Sequence, residues 1–191
     1  MRLDHVIYGT SDLDAASARI EAELGLEVLP GGRHIGQGSH NRIVPLGPGY
    51  LELLAIADRA EAEASPIGRL LLDRLACDDG LIAWAVSGVD VPAVAERLGT
   101  PLHTVRRGTM VGYVTGVETA LTDASLPFFV GSDSPRHPGE SGTAGGLTWV
   151  EVAGDVDRLR EWLGGADLPV RVVDGAPALR AIGIGERSFS G

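Results

Sequence analysis

The apolar positions of this chain alternate between the two-residue period of a strand and the three-to-four-residue period of a helix. Residues 3–8 (LDHVIY) predict a strand. The polar GTSD that follows supplies a helix N-cap at Ser11 or Asp12, whose side-chain oxygen accepts from an otherwise unpaired backbone N–H. Leu13, Ala16, Ile20 and Leu24 then form one apolar stripe, and Gly25 is placed to end the helix. Strands fit residues 26–29, 42–46 and 50–56, with PGG and GPG as turns between them. The unit is one strand, a helix and three strands.

The pattern then restarts. Residues 58–79, with AEAEA and LLLDRL, predict a helical connector, because Ala, Glu, Leu and Arg all favour helix. Beyond it, residues 81–86 predict a strand, 91–98 a helix ended by Gly99, and 103–106, 117–122 and 126–130 further strands. After a gap rich in Ser, Pro and Gly, the same order begins again with a strand over 147–152, a helix over 156–163 and strands over 170–173 and 178–182. The boundaries are therefore 1–57 for the first module, 58–79 for the connector, 80–133 for the second module and 146–191 for a third, partial one. An internal repeat of this kind implies an α+β fold of repeated strand-helix-strands modules enclosing a small-molecule pocket. Aligned on Asp14, Asp90 and Asp157, the modules place Leu81 and Thr148 where the first has His5.

Composition narrows the partners. With 26 acidic against 16 basic side chains and a formal charge of −10, the chain repels phosphate backbones and anionic membrane surfaces alike. We expect neither nucleic acid nor a membrane as partner. A hydrophobic content of 44% is enough for one or two cores. No charged leader with an apolar core opens the chain and no apolar run is bilayer-length, so the expected location is cytoplasmic. Cys77 is the single cysteine and reads as a half-buried helix thiol without chemistry.

The opening LDHVIYGTSDLDAA, followed by GGRHIGQGSHNRIVPLGPGYLELLAIAD, resembles the glyoxalase-like domains of the vicinal oxygen chelate superfamily. The resemblance covers about the first third of the chain in its motifs and the remainder in pattern. It implies βαβββ modules whose curved, mixed sheets pair into an open barrel, helices outside, around a metal and a small substrate. It also implies a histidine on the first strand and a glutamate on the last strand of a module as metal ligands, here His5 and Glu52. A divalent Zn, Fe, Mn or Ni ion takes imidazole nitrogen and carboxylate oxygen, and acts as a Lewis acid. His40, in GSHNRI, is the candidate third ligand or acid/base group. The sequence departs from the family pattern in the second module, where Leu81 replaces a second histidine and LPFFVG carries no carboxylate.

His34, in the Gly-rich GGRHIGQG, is a candidate pocket residue, and His137, in SPRHPG, either lines the entrance or occupies a turn. Trp84, Phe128, Phe129 and Trp149 lie on predicted strands; Phe128 and Phe129 are adjacent and must face opposite ways, so one of the two lines the cavity. Met110 and Tyr113 fall between predicted strands, where a lid would lie. Phosphate-loop, dinucleotide, nucleophile-elbow and helical His-Glu-x-x-His patterns are absent. Three functions remain open: a metal-assisted lyase, isomerase or dioxygenase of a small oxygenated metabolite, a metal-free protein that binds a small molecule, or a scaffold whose sheet edge or third module mediates dimer formation. A homodimer is a further expectation, because barrel closure in the superfamily can use modules from two chains.

Overall fold

A computed structural model describes residues 1–76, 79–107, 110–134 and 136–190; Cys77 lies outside the described residues. In chain order the first strands and helix are β1 (Arg2–Gly9), α1 (Leu13–Leu24), β2 (Leu29–His34), β3 (Ser39–Gly47) and β4 (Gly49–Ile56). Helices α2 (Arg59–Ala64) and α3 (Pro66–Leu75) follow, then β5 (Gly80–Ser87), α4 (Val91–Leu98), β6 (Leu102–Arg107), β7 (Met110–Thr115), α5 (Val117–Thr122) and β8 (Phe128–Ser132). The chain closes with β9 (Leu147–Ala153), α6 (Val156–Trp162), β10 (Val170–Val173), β11 (Ala178–Ile184) and β12 (Arg187–Phe189).

The main sheet has eight strands in the order β2-β3-β4-β1-β5-β8-β7-β6. β1 runs parallel to β4 and antiparallel to β5, while β5 runs parallel to β8, so the sheet is mixed and its two halves have matching topology about the β1–β5 seam. It curls into an open half-barrel with α1 and α4 packed on its outer side. A second sheet, β10-β9-β11-β12, packs β9 and β11 against β1 and β5 on the convex side. Val6, Tyr8, Leu51, Leu53, Trp84 and Phe129 fill that interface with residues of α1, α4 and the second sheet. On the concave side Ile7, Leu54, Ala83 and Phe128 meet Ile67 and Leu71 of α3 and Leu121 of α5, which close one end of the trough.

Aspartates start the helices as the polar pattern requires. Asp12 accepts from the backbone N–H groups of Asp14 and Ala15, Asp90 from Ala93, and Asp155 from Asp157 and Arg158. These caps correct the alignment of the modules: the equivalent aspartates are Asp12, Asp90 and Asp155, and the residue seven places before each is His5, Ala83 and Thr148. Ala83, not Leu81, therefore stands where His5 stands.

Two further expectations change. Residues 117–122 form α5 and not a strand, because Val117, Ala120 and Leu121 are spaced as one helical face and pack in the cluster that holds α3. The sheet position left by that change is taken by β7, paired to β6 and β8, so Met110 and Tyr113 belong to a ladder and not to a lid. The second strand of the first module begins at Leu29 and runs through PGG to His34, so residues 26–28 precede it. It is an edge strand, where Pro30 is tolerated. Gly31 is required there, since a Cβ would stand 2.0 Å from Asn41 Oδ1.

Candidate functional site

A cavity of about 530 Å³ occupies the concave side of the half-barrel. Strand alternation sends His5 and Ile7 of β1, Tyr50, Glu52 and Leu54 of β4, and Ser39 and Asn41 of β3 into it. A register shift between Leu3 and His5 against β5 breaks the alternation at Asp4, so Asp4 and His5, though adjacent, both line the cavity.

Asp4, His5 and Glu52 form a buried series, each of the three side chains 7% exposed. His5 Nδ1 donates to Asp4 Oδ1 at 2.7 Å, and its Nε2 faces Glu52 Oε2 at 3.6 Å. His137 accepts from the backbone N–H of Gly139 at Nδ1, 3.1 Å away, which leaves Nε2 to donate to Asp4 Oδ2 at 3.2 Å. Burial opposes the charge on Asp4, but the hydrogen bonds from His137 and His5, with the His5 charge, hold its carboxyl well below the ordinary carboxylate range. Tyr50 stacks on the His5 ring with centroids 4.5 Å apart, and Phe128 meets its edge at 5.3 Å. The imidazole is fixed on every side but the one facing the cavity.

Glu52 is oriented from the other flank. The Asn41 amide nitrogen donates to Glu52 Oε1 and also faces His34 Nε2 at 3.4 Å, while Asn41 Oδ1 accepts from the Gly32 N–H at 2.8 Å. His34 Nδ1 is bonded to Ser39 Oγ at 2.9 Å.

The structure thus brings His5, Glu52, His34, Phe128 and His137 to one cavity and leaves out three of the expected residues. His40 belongs to a shallow groove on the other face of β3, beside Arg33, Arg42 and Asp14, because its neighbours Ser39 and Asn41 take the inward positions. There burial, then the charges of Arg33 and Arg42, push its imidazole pKa down. Trp84 and Phe129 are fully buried in the convex-side core. Sequence reasoning missed Asp4 and Asn41. Asn41 was findable, two residues from Ser39 on a strand of even period; Asp4 was not, because a bulge has no signal in an apolar run.

The matching topology of the two halves shows what stands opposite the acidic wall. Ile7 pairs with Glu52 across β1 and β4 as Ala85 pairs with Phe128 across β5 and β8, so Phe128 is the counterpart of Glu52, and Ala83 that of His5. One wall carries imidazoles and carboxylates, and the equivalent positions of the other carry a methyl and a phenyl ring.

A fold of paired βαβββ modules with a single-walled polar pocket defines a protein that handles a small molecule, and its class is the vicinal oxygen chelate superfamily. The chain belongs to the family described as Glyoxalase-like domain, whose model matches residues 3–166. No curated protein matches the sequence. Among solved structures, a hypothetical protein from Staphylococcus aureus is similar with a TM-score of 0.70 at 15% identity, over 91% of this chain and 86% of that one. A Streptomyces coelicolor methylmalonyl-CoA epimerase (S115T) in complex with 2-nitronate-propionyl-CoA gives 0.51 at 22%, over 72% and 96%. A methylmalonyl-CoA epimerase in complex with methylmalonyl-CoA and NH4+ gives 0.51 at 23%, over 71% and 96%. At these identities the likeness is one of fold.

The donor set does not fit a resident divalent cation. Among the described residues no group of three or more His, Cys, Asp and Glu is set to hold one. The reason is local: the Asn41 N–H₂ occupies both Glu52 Oε1 and the face of His34 Nε2, and the opposite wall supplies Ala83 and Phe128 where further ligands would stand. Among the described residues no helix is long and apolar enough to cross a membrane.

Proposed function

We propose that this protein is an enzyme that moves a proton on the carbon beside a carbonyl group of a small metabolite, an isomerase or lyase reaction, with Glu52 as base and His5 as acid. The observation that carries this proposal is the buried Asp4–His5–Glu52 series ending in the cavity. With Nδ1 committed to Asp4, His5 turns a second nitrogen toward Glu52, and one proton between those facing atoms relieves the contact of two lone pairs. When Glu52 accepts the proton of a carbon acid, His5 Nε2–H is placed to stabilise the oxygen on which charge develops, and Asp4 stabilises the imidazolium. Two solved neighbours of the same fold are named methylmalonyl-CoA epimerase, an isomerase by name, which is in keeping with this reading.

The expected Zn, Fe, Mn or Ni ion would draw on His5, His34 and Glu52, where the Asn41 N–H₂ already bonds Glu52 Oε1 and faces His34 Nε2. The protein works in the cytoplasm, and its net charge of −10 keeps it from nucleic acid and anionic membranes.

The test is loss of C–H signal by proton NMR in D₂O from a panel of straight-chain 2-oxo acids and 3-oxo esters, alongside elemental analysis of the untagged protein. We expect exchange that falls at least about 100-fold in Glu52→Gln and in His5→Gln, without stoichiometric metal. Unchanged exchange in both variants overturns the assignment of base and acid. Stoichiometric metal lost in His5→Gln overturns the metal-free mechanism. A second function, ligand binding without turnover, is favoured by the apolar second wall; it gains if the panel binds and no C–H bond exchanges.

A further inference from the structure

The strand register divides the cavity into three tiers. Arg2 pairs with Ser87, His5 with Ala85, and Ile7 with Ala83 along β1 and β5. Ala85 pairs with Phe128 on β8, which puts Val130 and Ser132 level with the Arg2 end. The middle tier is His5, Tyr50 and Phe128, and the Glu52 carboxylate reaches it from the position opposite Ile7, 3.6 Å from His5 Nε2. The inner tier is Ile7, Leu54 and Ala83, closed by Ile67 and Leu71 of α3 and Leu121 of α5. The outer tier is Arg2, Ser87, Ser132 and Ser134, with Arg136 from the segment after β8.

Charge is distributed unevenly over these tiers. Asp4 and Glu52 are the only carboxylates lining the cavity among the described residues; Glu52 reaches the middle tier, and Asp4, paired with His5 and His137 and beside Ser87, borders the middle and outer tiers, so the middle is faced by both. A ligand anion placed there meets two carboxylates. At the outer tier Arg2 and Arg136 face the same opening, and neither has a carboxylate partner among the described residues, although the chain as a whole is acidic. Unpaired guanidinium groups beside a polar opening favour carboxylate or phosphate, which they bind in a planar, bidentate way. Where the inner tier meets α3 and α5 it offers the hydrocarbon of Ile7, Leu54, Ala83, Ile67, Leu71 and Leu121, with the polar Ser39 and Asn41 on the β3 flank, so the α3–α5 side favours an apolar body.

We infer that the ligand is an amphipathic carbonyl compound with three parts in order: an anionic group held by Arg2 and Arg136, a carbonyl at His5 and Glu52, and an aliphatic or aryl body against α3 and α5. Three residues of strand separate Arg2 from His5, about 10 Å between Cα atoms. Arginine side chains shorten that gap, so anion and carbonyl are near neighbours in one small molecule. The inference rests on the cavity being the site of the proposed proton transfer, and equilibrium binding tests it apart from turnover.

Isothermal titration with four probes makes the test: 2-oxooctanoate, octyl phosphate, 2-octanone and 2-oxobutanoate. 2-Oxooctanoate is expected to bind at least about tenfold more tightly than 2-octanone, which lacks the anion, and than 2-oxobutanoate, which lacks the body. Octyl phosphate distinguishes the anion: binding tighter than 2-oxooctanoate assigns a phosphate, weaker binding a carboxylate. In a protein carrying both Arg2→Gln and Arg136→Gln, two exposed positions, the advantage of the charged eight-carbon probes over 2-octanone should vanish while 2-octanone binding is unchanged. In Ala83→Leu, which fills the inner tier, the eight-carbon probes should lose affinity and 2-oxobutanoate should not. Equal wild-type affinity for 2-octanone and both charged eight-carbon probes, or full retention of those probes by the double arginine variant, overturns the inference. Carbon–hydrogen exchange with 2-oxobutanoate as good as with 2-oxooctanoate also overturns it while leaving the proton-transfer proposal standing; the expected binding order without exchange does the reverse.

Discussion

Replacing Asp4 by asparagine keeps the shape of the side chain and removes its charge, so it isolates what the buried carboxylate contributes. The wild-type group accepts from His5 at 2.7 Å and from His137 at 3.2 Å with a side chain 7% exposed. Hydrogen bonds to a charged group contribute about 1.5–3 kcal/mol each. Asn retains one acceptor oxygen and presents an N–H₂ to the other imidazole, so one bond is lost and the other is weakened. The expected destabilisation is about 2–4 kcal/mol, which for a chain of this size lowers Tm by roughly 5–12 °C. The pH dependence has a definite sign. Because the folded-state pKa of Asp4 lies below its ordinary 3.8, its stabilisation is fully present above about pH 4 and is lost as pH falls through the lower folded value. Circular-dichroism melts of both proteins between pH 7 and pH 3 read this directly: the gap is constant down to about pH 4 and narrows below it. A variant within 1 °C of wild type at pH 7, or a gap that stays constant to pH 3, refutes the account of Asp4 as a charged anchor of two imidazoles.

Other expectations follow from the same geometry. Gly31→Ala sets a Cβ 2.0 Å from Asn41 Oδ1 and displaces the amide that orients Glu52, so C–H exchange should fall about tenfold or more, and an unchanged rate would show that Asn41 does not position Glu52. His40→Ala, on the outer groove, should leave exchange within about twofold and stability within ~0.5 kcal/mol; a large loss of exchange would return His40 to the site. Gly139→Ala places a Cβ 1.9 Å from Gly49 O and should lower Tm by several degrees while weakening the hold of His137 on Asp4, readable as a shift of the His137 ring resonances in NMR.

Much of the fold was legible because its signals are local. Asp12 and Asp90 cap their helices through side chains that the polar stretches announce, Gly25 and Gly99 end them, and the alternation of residues 50–56 places Glu52 with Tyr50 and Leu54 on one face. His5 and Glu52 share a cavity for that reason. His40 failed on parity: Asn41 beside it, with Gly31 making room for its side chain, takes the inward position, and nothing in GSHNRI says which of two polar neighbours turns in. The helix α5 failed on length, since VETALT is too short for periodicity to separate it from a strand, and its partner α3 lies far away in sequence. Asp4 needed the bulge and the return of His137 from a residue 133 positions later, a contact that only the folded chain makes.

The equivalence of Ala83 with His5 and of Phe128 with Glu52 bears on how such a pocket changes over generations. Two halves of matching topology face each other, and at these positions only one carries an imidazole and a carboxylate. With the proposed function, substitutions on the β5–β8 wall alter which molecule fits without touching His5 and Glu52, so new specificities are reachable by single steps there. The first unit can therefore stay constant in a lineage while the second drifts, a division of labour in which one half of the molecule keeps the chemistry and the other half explores what it is applied to.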